Sequence, residues 1–376
     1  MSGSSKTRSS LPTRWYLDAD HYARELEAIW YRDWVAVGRN ERIPGVGDYF
    51  VAQVGTQRIV ITRGKDGGLR AFHNTCRHRG SALCTEPHGR FKNGRIICPY
   101  HTWTYDLDGR LVATPYRIES DDFRLDNYPL YDVAIDSWGG FIFICLDEQP
   151  KHTLEEFLGA EVDELEGWPL ADMLVAHEES VDLACNWKIF WENFNECYHC
   201  PRIHPELCKV VPTYKQGVFA EYQLSGGDRE NAARRSEPGV AEGMTTWTID
   251  GQLALPDIPG LDKDKKNKGM WFATFLGSMF VVGHPQYVRS VRVSPIDPER
   301  TRLTISWLLL PGIAESYPQE LEHMMSLARL VIAQDGRACE LNQQGLHCRR
   351  HDTGVLVPQE DSVAWVHDWI RTRLTD

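Results

Sequence analysis

No stretch of the 376 residues approaches the roughly 18 consecutive apolar positions that a membrane helix needs. The first ten residues, MSGSSKTRSS, carry no apolar core of the secretory type. The expectation is a frayed terminus and a cytoplasmic protein with no membrane partner. Basic excess is missing too: 41 Lys and Arg stand against 53 Asp and Glu, a formal charge of −12, which excludes a general nucleic-acid binder. Internal repeats and low-complexity tracts are absent. With 42% hydrophobic and 25% charged residues the usage is that of a globular chain, and its length suggests two or three domains of about 150 residues each.

In a reducing compartment the ten cysteines are expected to be free, buried or metal-bound. Residues 15–36 place apolar side chains at helical spacing behind an Asp20 cap signal, which predicts an N-terminal helix. From about 37 to 150 short alternating runs such as YFVAQV, QRIVITR and GGFIFICL are separated by Gly, Asp and Asn clusters, the pattern of a compact β domain. Beyond the linker DEQPKH the texture is mixed, with helical signals at 154–166, 187–199 and 317–346. Strand-like runs lie at 174–183, 271–283, 287–295 and 302–310, and SPIDPERT joins the last two as a hairpin. The fold class is therefore α+β, divided as 1–40 (N-terminal helix packing on the second domain), 41–150 and 151–376. Residues 224–269, rich in Gly, Pro and charge, read as a long surface insertion of the kind that forms a lid.

Two short motifs dominate the β domain: Cys76-Arg-His78 and, after nineteen residues, Cys98-Pro-Tyr-His101. Each puts one thiolate and one imidazole on a tight loop. Two such loops can close on a bimetallic cluster, two sulfurs on one iron and two imidazoles on the other, which is the ligand set of a Rieske [2Fe–2S] centre. Structural zinc also takes Cys₂His₂, but its motifs usually pair Cys with Cys and His with His. Cys84, His73 and His88 lie outside the motif and read as packing or surface. No further cysteine follows Cys98 within the loop, so a disulfide clamp over the cluster is not expected.

A second constellation begins at Asn186-Trp-Lys. Glu192, Glu196 and His199 fall at i, i+4, i+7 and would share one helical face, while His204 can meet His199 only if Pro201 and Pro205 break the helix. Two His and one carboxylate make the facial triad of non-haem Fe(II), with positions left open for dioxygen and substrate. The carboxylate is either Glu196 or Asp335, an acid within an otherwise apolar and amide-rich helical run. Competing readings are a di-iron bundle from Glu196-x-x-His199 and Glu320-x-x-His323, and zinc held by Cys197, Cys200, His204 and Cys208.

Taken together, Cys76-x-His78, Cys98-x-x-His101 and NWK…ENFNECYHCPRIHPEL resemble the Rieske non-haem iron oxygenases, specifically their terminal-oxygenase α subunits, over nearly the whole chain. The resemblance implies an N-terminal Rieske domain and a helix-grip catalytic domain, an antiparallel sheet with a long helix. It implies His199, His204 and Asp335 as the ligands of a mononuclear Fe(II), with Asp335 preceding Glu340 and Gln343-Gln344-Gly345. Glu196 matches the acidic bridge from the iron site to a neighbouring subunit's cluster, and Asn193 and Tyr198 match positions around it. A ring-shaped homotrimer follows from the same resemblance. The string NECYHC…HPEL is most like the branch that oxidises glycine betaine, choline or carnitine-like quaternary ammonium compounds. Hydroxylating an N-methyl carbon there yields formaldehyde and a demethylated amine. Aromatic faces would hold the cation, from a pool of Trp247, Trp271, Phe272, Phe275, Phe280 and Tyr287, of which about one in three should face the pocket. Arene hydroxylation, by mono- or dioxygenation, is the alternative, and an electron carrier with a Rieske cluster alone is the reading from another class. Since no Gly-rich dinucleotide fingerprint follows a strand, electrons from NAD(P)H would enter through a separate reductase or ferredoxin.

Overall fold

The computed structural model describes residues 6–218 and 239–375. The chain forms two compact units, Trp30–Leu158 and the pairing of Met1–Ile29 with Gly159–Asp376.

The Trp30–Leu158 unit consists mainly of three antiparallel sheets. Val35–Arg39 and Ala134–Trp138 flank the fully buried Phe141–Cys145. A four-stranded sheet runs in the order Leu69–His73, Gln57–Arg63, Asp48–Val54, His88–Arg90. The third is made of Arg95–Ile97, Thr104–Asp106 and Leu111–Ala113. Burial alternates along Asp48–Val54, so that this strand turns one face inward. Both loops of the first constellation spring from these strands: one follows Leu69–His73, the other joins Ile97 to Thr104 across a hairpin.

In the other unit a five-stranded antiparallel sheet runs in the order Leu174–Leu183, Arg300–Leu309, Val288–Asp297, Met279–Gly283, Trp271–Phe275. The expected hairpin at SPIDPERT is there, with Asp297 opposite Arg300. The single strand expected at 271–283 is instead two, paired Phe275 to Met279 around Gly277, whose φ of 87° suits glycine. The 26-residue helix Leu321–Leu346 packs on the sheet. At Gly336 it approaches so closely that a Cβ would stand 2.8 Å from Leu183.

Three other expectations need correcting. The helix expected at 15–36 spans only Ala19–Glu25 beyond a short Arg14–Leu17 turn. Its cap is Asp18 rather than Asp20, and a π-turn at Leu26–Trp30 leads the chain into the strand at Val35. The helix expected at 187–199 is Trp187–Phe194. Its start is fixed by Asn186, whose side chain accepts from Lys188 N while its backbone N–H donates to Gln343 Oε1. Of the expected insertion at 224–269, residues 224–238 lie outside the described residues. The part from 239 onwards is anchored inward by buried Trp247, Leu255, Ile258 and Leu261. No described helix is long and apolar enough to cross a membrane.

Candidate metal centres and substrate pocket

The two loops of the β unit are built alike. Gly80 N donates to Cys76 O and Thr102 N to Cys98 O, each closing a tight turn on its cysteine, and both Gly80 and Thr102 take positive φ (77° and 57°). The thiols of Cys76 and Cys98 are buried, 3% and 1% exposed, whereas His78 is exposed and His101 partly so. The two imidazoles meet edge to face with ring centroids 4.7 Å apart, and His78 stacks on Trp103. Inner sulfurs and outer imidazoles are the donor arrangement that a Rieske cluster requires. Tyr105, which the sequence reading did not single out, offers its hydroxyl to Cys76 Sγ at 3.3 Å and accepts from Arg77 N. Cys84 sits apart as packing: burial pushes its thiol up to about 12.

The second constellation closes differently from expectation. Because the helix ends at Phe194, where Asn195 caps Trp191 O, Glu196 and His199 lie beyond it and share no helical face with Glu192, although all three line one depression. Glu192 instead accepts from Tyr16 Oη and lies 2.9 Å from His367 Nε2. His199 precedes a single turn, Cys200–Ile203, and His204 follows it with φ −122° and ψ 60°. Pro201 occupies the first turn, where proline is tolerated, so the break comes at His204, the residue before Pro205, which the proline disfavours from helical backbone.

That turn brings the two imidazoles within 5.1 Å of each other, and Asp335 from the long helix joins them. Asp335 Oδ1 lies 2.8 Å from His204 Nε2 and 3.3 Å from His199 Nε2, and the three candidate ligand atoms lie within 4.8 Å of one another. The opposite ring nitrogens are held from outside. His199 Nδ1 donates to Glu196 Oε1 at 2.5 Å and His204 Nδ1 to Gln334 Oε1 at 2.7 Å, which leaves both Nε2 atoms free to face a metal. Glu196 Oε2 also accepts from the backbone N–H groups of Tyr198 and His199. Asn193 Nδ2 lies 3.4 Å from His199 Nε2, whereas the Tyr198 side chain is exposed. A two-nitrogen, one-carboxylate set of this compactness suits Fe(II).

Without metal the charges hold a proton in its place. Burial opposes a charge on His199, yet its hydrogen bonds to Asp335 and Glu196 outweigh that and push its pKa up to about 9. Burial likewise opposes the Asp335 carboxylate, and the two imidazoles overcome it and hold its pKa below the usual range.

The competing metal sets do not assemble. His323 sits 2.9 Å from Asp250, and Cys197 and Cys200 are joined as a disulfide, an exception to the free thiols expected.

A cavity of about 70 Å³ opens beside the triad. Of the six pooled aromatics, Trp247, Phe272 and Phe280 line it, while Trp271, Phe275 and Tyr287 do not. Phe190, Phe194 and Tyr214 complete the aromatic wall, and Arg289 is the only Lys or Arg side chain among the described lining residues. Arg289 carried a readable signal: it interrupts the apolar face of Val291 and Val293 on one strand.

Residues 170–376 match the ring hydroxylating alpha subunit (catalytic domain) family and residues 33–129 the Rieske [2Fe-2S] domain family. The glycine betaine monooxygenase oxygenase subunit of Chromohalobacter salexigens is 31% identical, over 97% of this chain and 86% of that protein. Among solved structures, a quaternary ammonium Rieske monooxygenase superposes with a TM-score of 0.74 at 21% identity, covering 97% of this chain and 95% of its own. Naphthalene 1,2-dioxygenase from Rhodococcus sp. gives 0.74 at 18% identity, covering 97% and 94%.

Proposed function

The chain belongs to the Rieske oxygenases, with a [2Fe–2S] domain and a mononuclear-iron catalytic domain, and on that premise we propose that it oxidatively removes an N-methyl group from a quaternary ammonium compound. Glycine betaine is the first candidate substrate. One observation carries the reading: a small cavity walled by six aromatic side chains ends on the Nε2, Nε2, Oδ1 cluster of His199, His204 and Asp335. Aromatic faces attract a trimethylammonium group electrostatically, and the cluster lies where an N-methyl carbon would then sit.

Cys76, His78, Cys98 and His101 would hold the cluster, and His199, His204 and Asp335 the iron. When bound, these groups supply single electrons, delivered through a separate reductase, and the activation of dioxygen. The chain's own residues orient and exclude. Glu196 and Gln334 fix the ring planes of the two histidines, and the aromatic wall keeps water from the methyl group. Hydroxylation of that carbon leaves an N–CH₂OH group. Its O–H proton departs, the C–N bond breaks with its electron pair to nitrogen, and formaldehyde leaves. The second oxygen atom of dioxygen, two electrons and two protons end as water.

The working unit is proposed to be a homotrimer in which Glu196 links His199 to His101 of an adjacent chain. Supporting this, Glu196 lines a depression of about 330 Å³ with Glu192, Asn193 and His351, and a carboxylate accepts from more than one partner. Glu196→Gln should retain both metals and a dithionite-reducible cluster yet lose most turnover. Loss of mononuclear iron would instead make Glu196 a ligand, and unchanged turnover would remove the bridge.

The decisive assay supplies a surrogate reductase and screens glycine betaine, carnitine, choline and simple arenes. Formaldehyde release matching dioxygen uptake is expected with a quaternary ammonium compound. Arene hydroxylation without it would overturn the reading.

A further inference from the structure

Arg289 projects from the strand Val288–Asp297 into the same cavity as the triad and is 3% exposed. Among the described residues its side chain makes no hydrogen bond and no ion pair, and its Nε is buried without an acceptor. Its neighbours are rings: the guanidinium carbon stands 5.3 Å from the Trp247 centroid and 5.9 Å from that of Phe280. The acid whose field reaches it, Asp335, has both imidazoles on its Oδ1 and is committed to the triad. Ring faces recover part of the desolvation of a buried cation but do not neutralise it. A buried charge normally persists only with a partner.

A ligand can supply the partner that the described residues do not. A guanidinium presents two parallel N–H groups in a plane, the geometry that matches a carboxylate. The same positive charge lies against Trp247 and Phe280, two of the rings that could otherwise receive an ammonium group. A divalent metal at the triad adds further positive charge. A cation carrying no anion of its own is therefore repelled from the Arg289 end of the cavity, whereas a zwitterion fits with its two ends sorted. Its carboxylate meets Arg289, and its methylated nitrogen lies toward Phe190, Phe194 and Phe272.

We infer that Arg289 anchors the substrate carboxylate, so that this enzyme takes N-methylated amino carboxylates and discriminates against amino alcohols. The inference rests on the quaternary-ammonium reading for the nitrogen end and adds the carboxylate end.

Three ligands separate the two ends: glycine betaine, choline, and 3,3-dimethylbutanoate, in which carbon replaces the charged nitrogen. Binding is measured by calorimetry on the holoenzyme without an electron donor, so that no turnover occurs. Wild type should bind glycine betaine at least about 30-fold more tightly than choline, the factor expected when one member of a buried charge pair is missing. Arg289→Gln should weaken glycine betaine and 3,3-dimethylbutanoate by a similar factor and leave choline unchanged or tighter. Arg289→Lys should recover part of the loss. Metal content and circular dichroism check the fold, and if the glutamine variant does not fold, the wild-type ligand ratios and the lysine variant decide. Equal wild-type affinity for glycine betaine and choline, a uniform loss for all three ligands, or no carboxylate binding at all would each overturn the anchor. Failure of the nitrogen reading is seen separately, as glycine betaine binding no tighter than 3,3-dimethylbutanoate.

Discussion

Stripping the mononuclear site should leave it protonated, and that proton sets a measurable pH dependence. His199 in the metal-free fold has a pKa of about 9, against roughly 6.5 for an unperturbed imidazole. The raised value means that the associated stability is fully present below about 6.5 and is lost as pH rises through 9. With a shift of about 2.5 units at 1.36 kcal/mol each, the upper bound is roughly 3 kcal/mol. His199 is 17% exposed and coupled to Asp335, so the measured figure should fall below that bound. Metal binding runs the other way. A divalent cation must expel the proton, so its apparent affinity should rise about tenfold per pH unit between 6.5 and 9, with a penalty near a hundredfold at pH 7. The assay is a competition titration of Co(II) against a chromophoric chelator across that range, on protein whose Rieske absorbance is intact. A slope near one in log affinity against pH is expected, together with a thermal stability of the metal-free protein that declines from pH 6.5 to 9. Removing one of the two acceptors by Glu196→Gln should move the bend to lower pH. A flat affinity across the range would refute the reasoning, because it would mean that no proton occupies the site.

Three further outcomes follow from particular contacts. Gln334→Leu removes the acceptor of His204 Nδ1 and should weaken mononuclear metal binding by about 10- to 100-fold while sparing the cluster spectrum. Equal metal content under a graded chelator challenge would count against it. Tyr105→Phe deletes the hydroxyl on Cys76 Sγ; one hydrogen bond of about 1 kcal/mol corresponds to roughly 40 mV for a one-electron couple, so voltammetry should show the cluster potential lowered by that order. Lys188→Met removes the buried lysine partner of Glu25, whose carboxylate lies 2.6 Å from Lys188 Nζ with both side chains fully buried, and leaves it only Trp187 Nε1 and His21 among the described residues. Denaturant unfolding should show a loss of about 3–5 kcal/mol, and adding Glu25→Gln should restore part of it.

Much of the architecture was legible because the residues concerned do one thing well. Cys and His at fixed spacing in reversing loops have few structural uses, and the buried sulfurs beside exposed imidazoles accord with that reading. Period-two runs gave the strands. What escaped were the endings. WENFNECYHC keeps a helical rhythm past Phe194, and nothing in its composition marks Asn195 as the stop, because the cap is a contact made only once the turn has closed. The N-terminal segment failed similarly: Tyr31 and Trp34 continue the apolar spacing of the helix, yet a π-turn at Leu26–Trp30 diverts the chain into a strand.

The pocket shows most sharply where sequence reasoning stops. Asp335 is singled out, beside Glu196, by a simple rule, that an acid among apolar neighbours on a helix has a reason to be there. Arg289 obeys the same rule, since Val291 and Val293 follow it on one face of its strand, but the strand also carries Arg292 on the other face. With a period of two, Val291 and Val293 mark the Arg289 face as the inner one, but the sequence does not show which arginine meets an acid. Register against the neighbouring strands decides. Arg289 pairs with Val282 and Trp307 and turns into the cavity, while Arg292 pairs with Met279 and Thr304 and reaches Glu178 at 3.5 Å. Among the described residues one arginine thus has its acid, and the other faces the cavity without one, ready for an acid in what binds there.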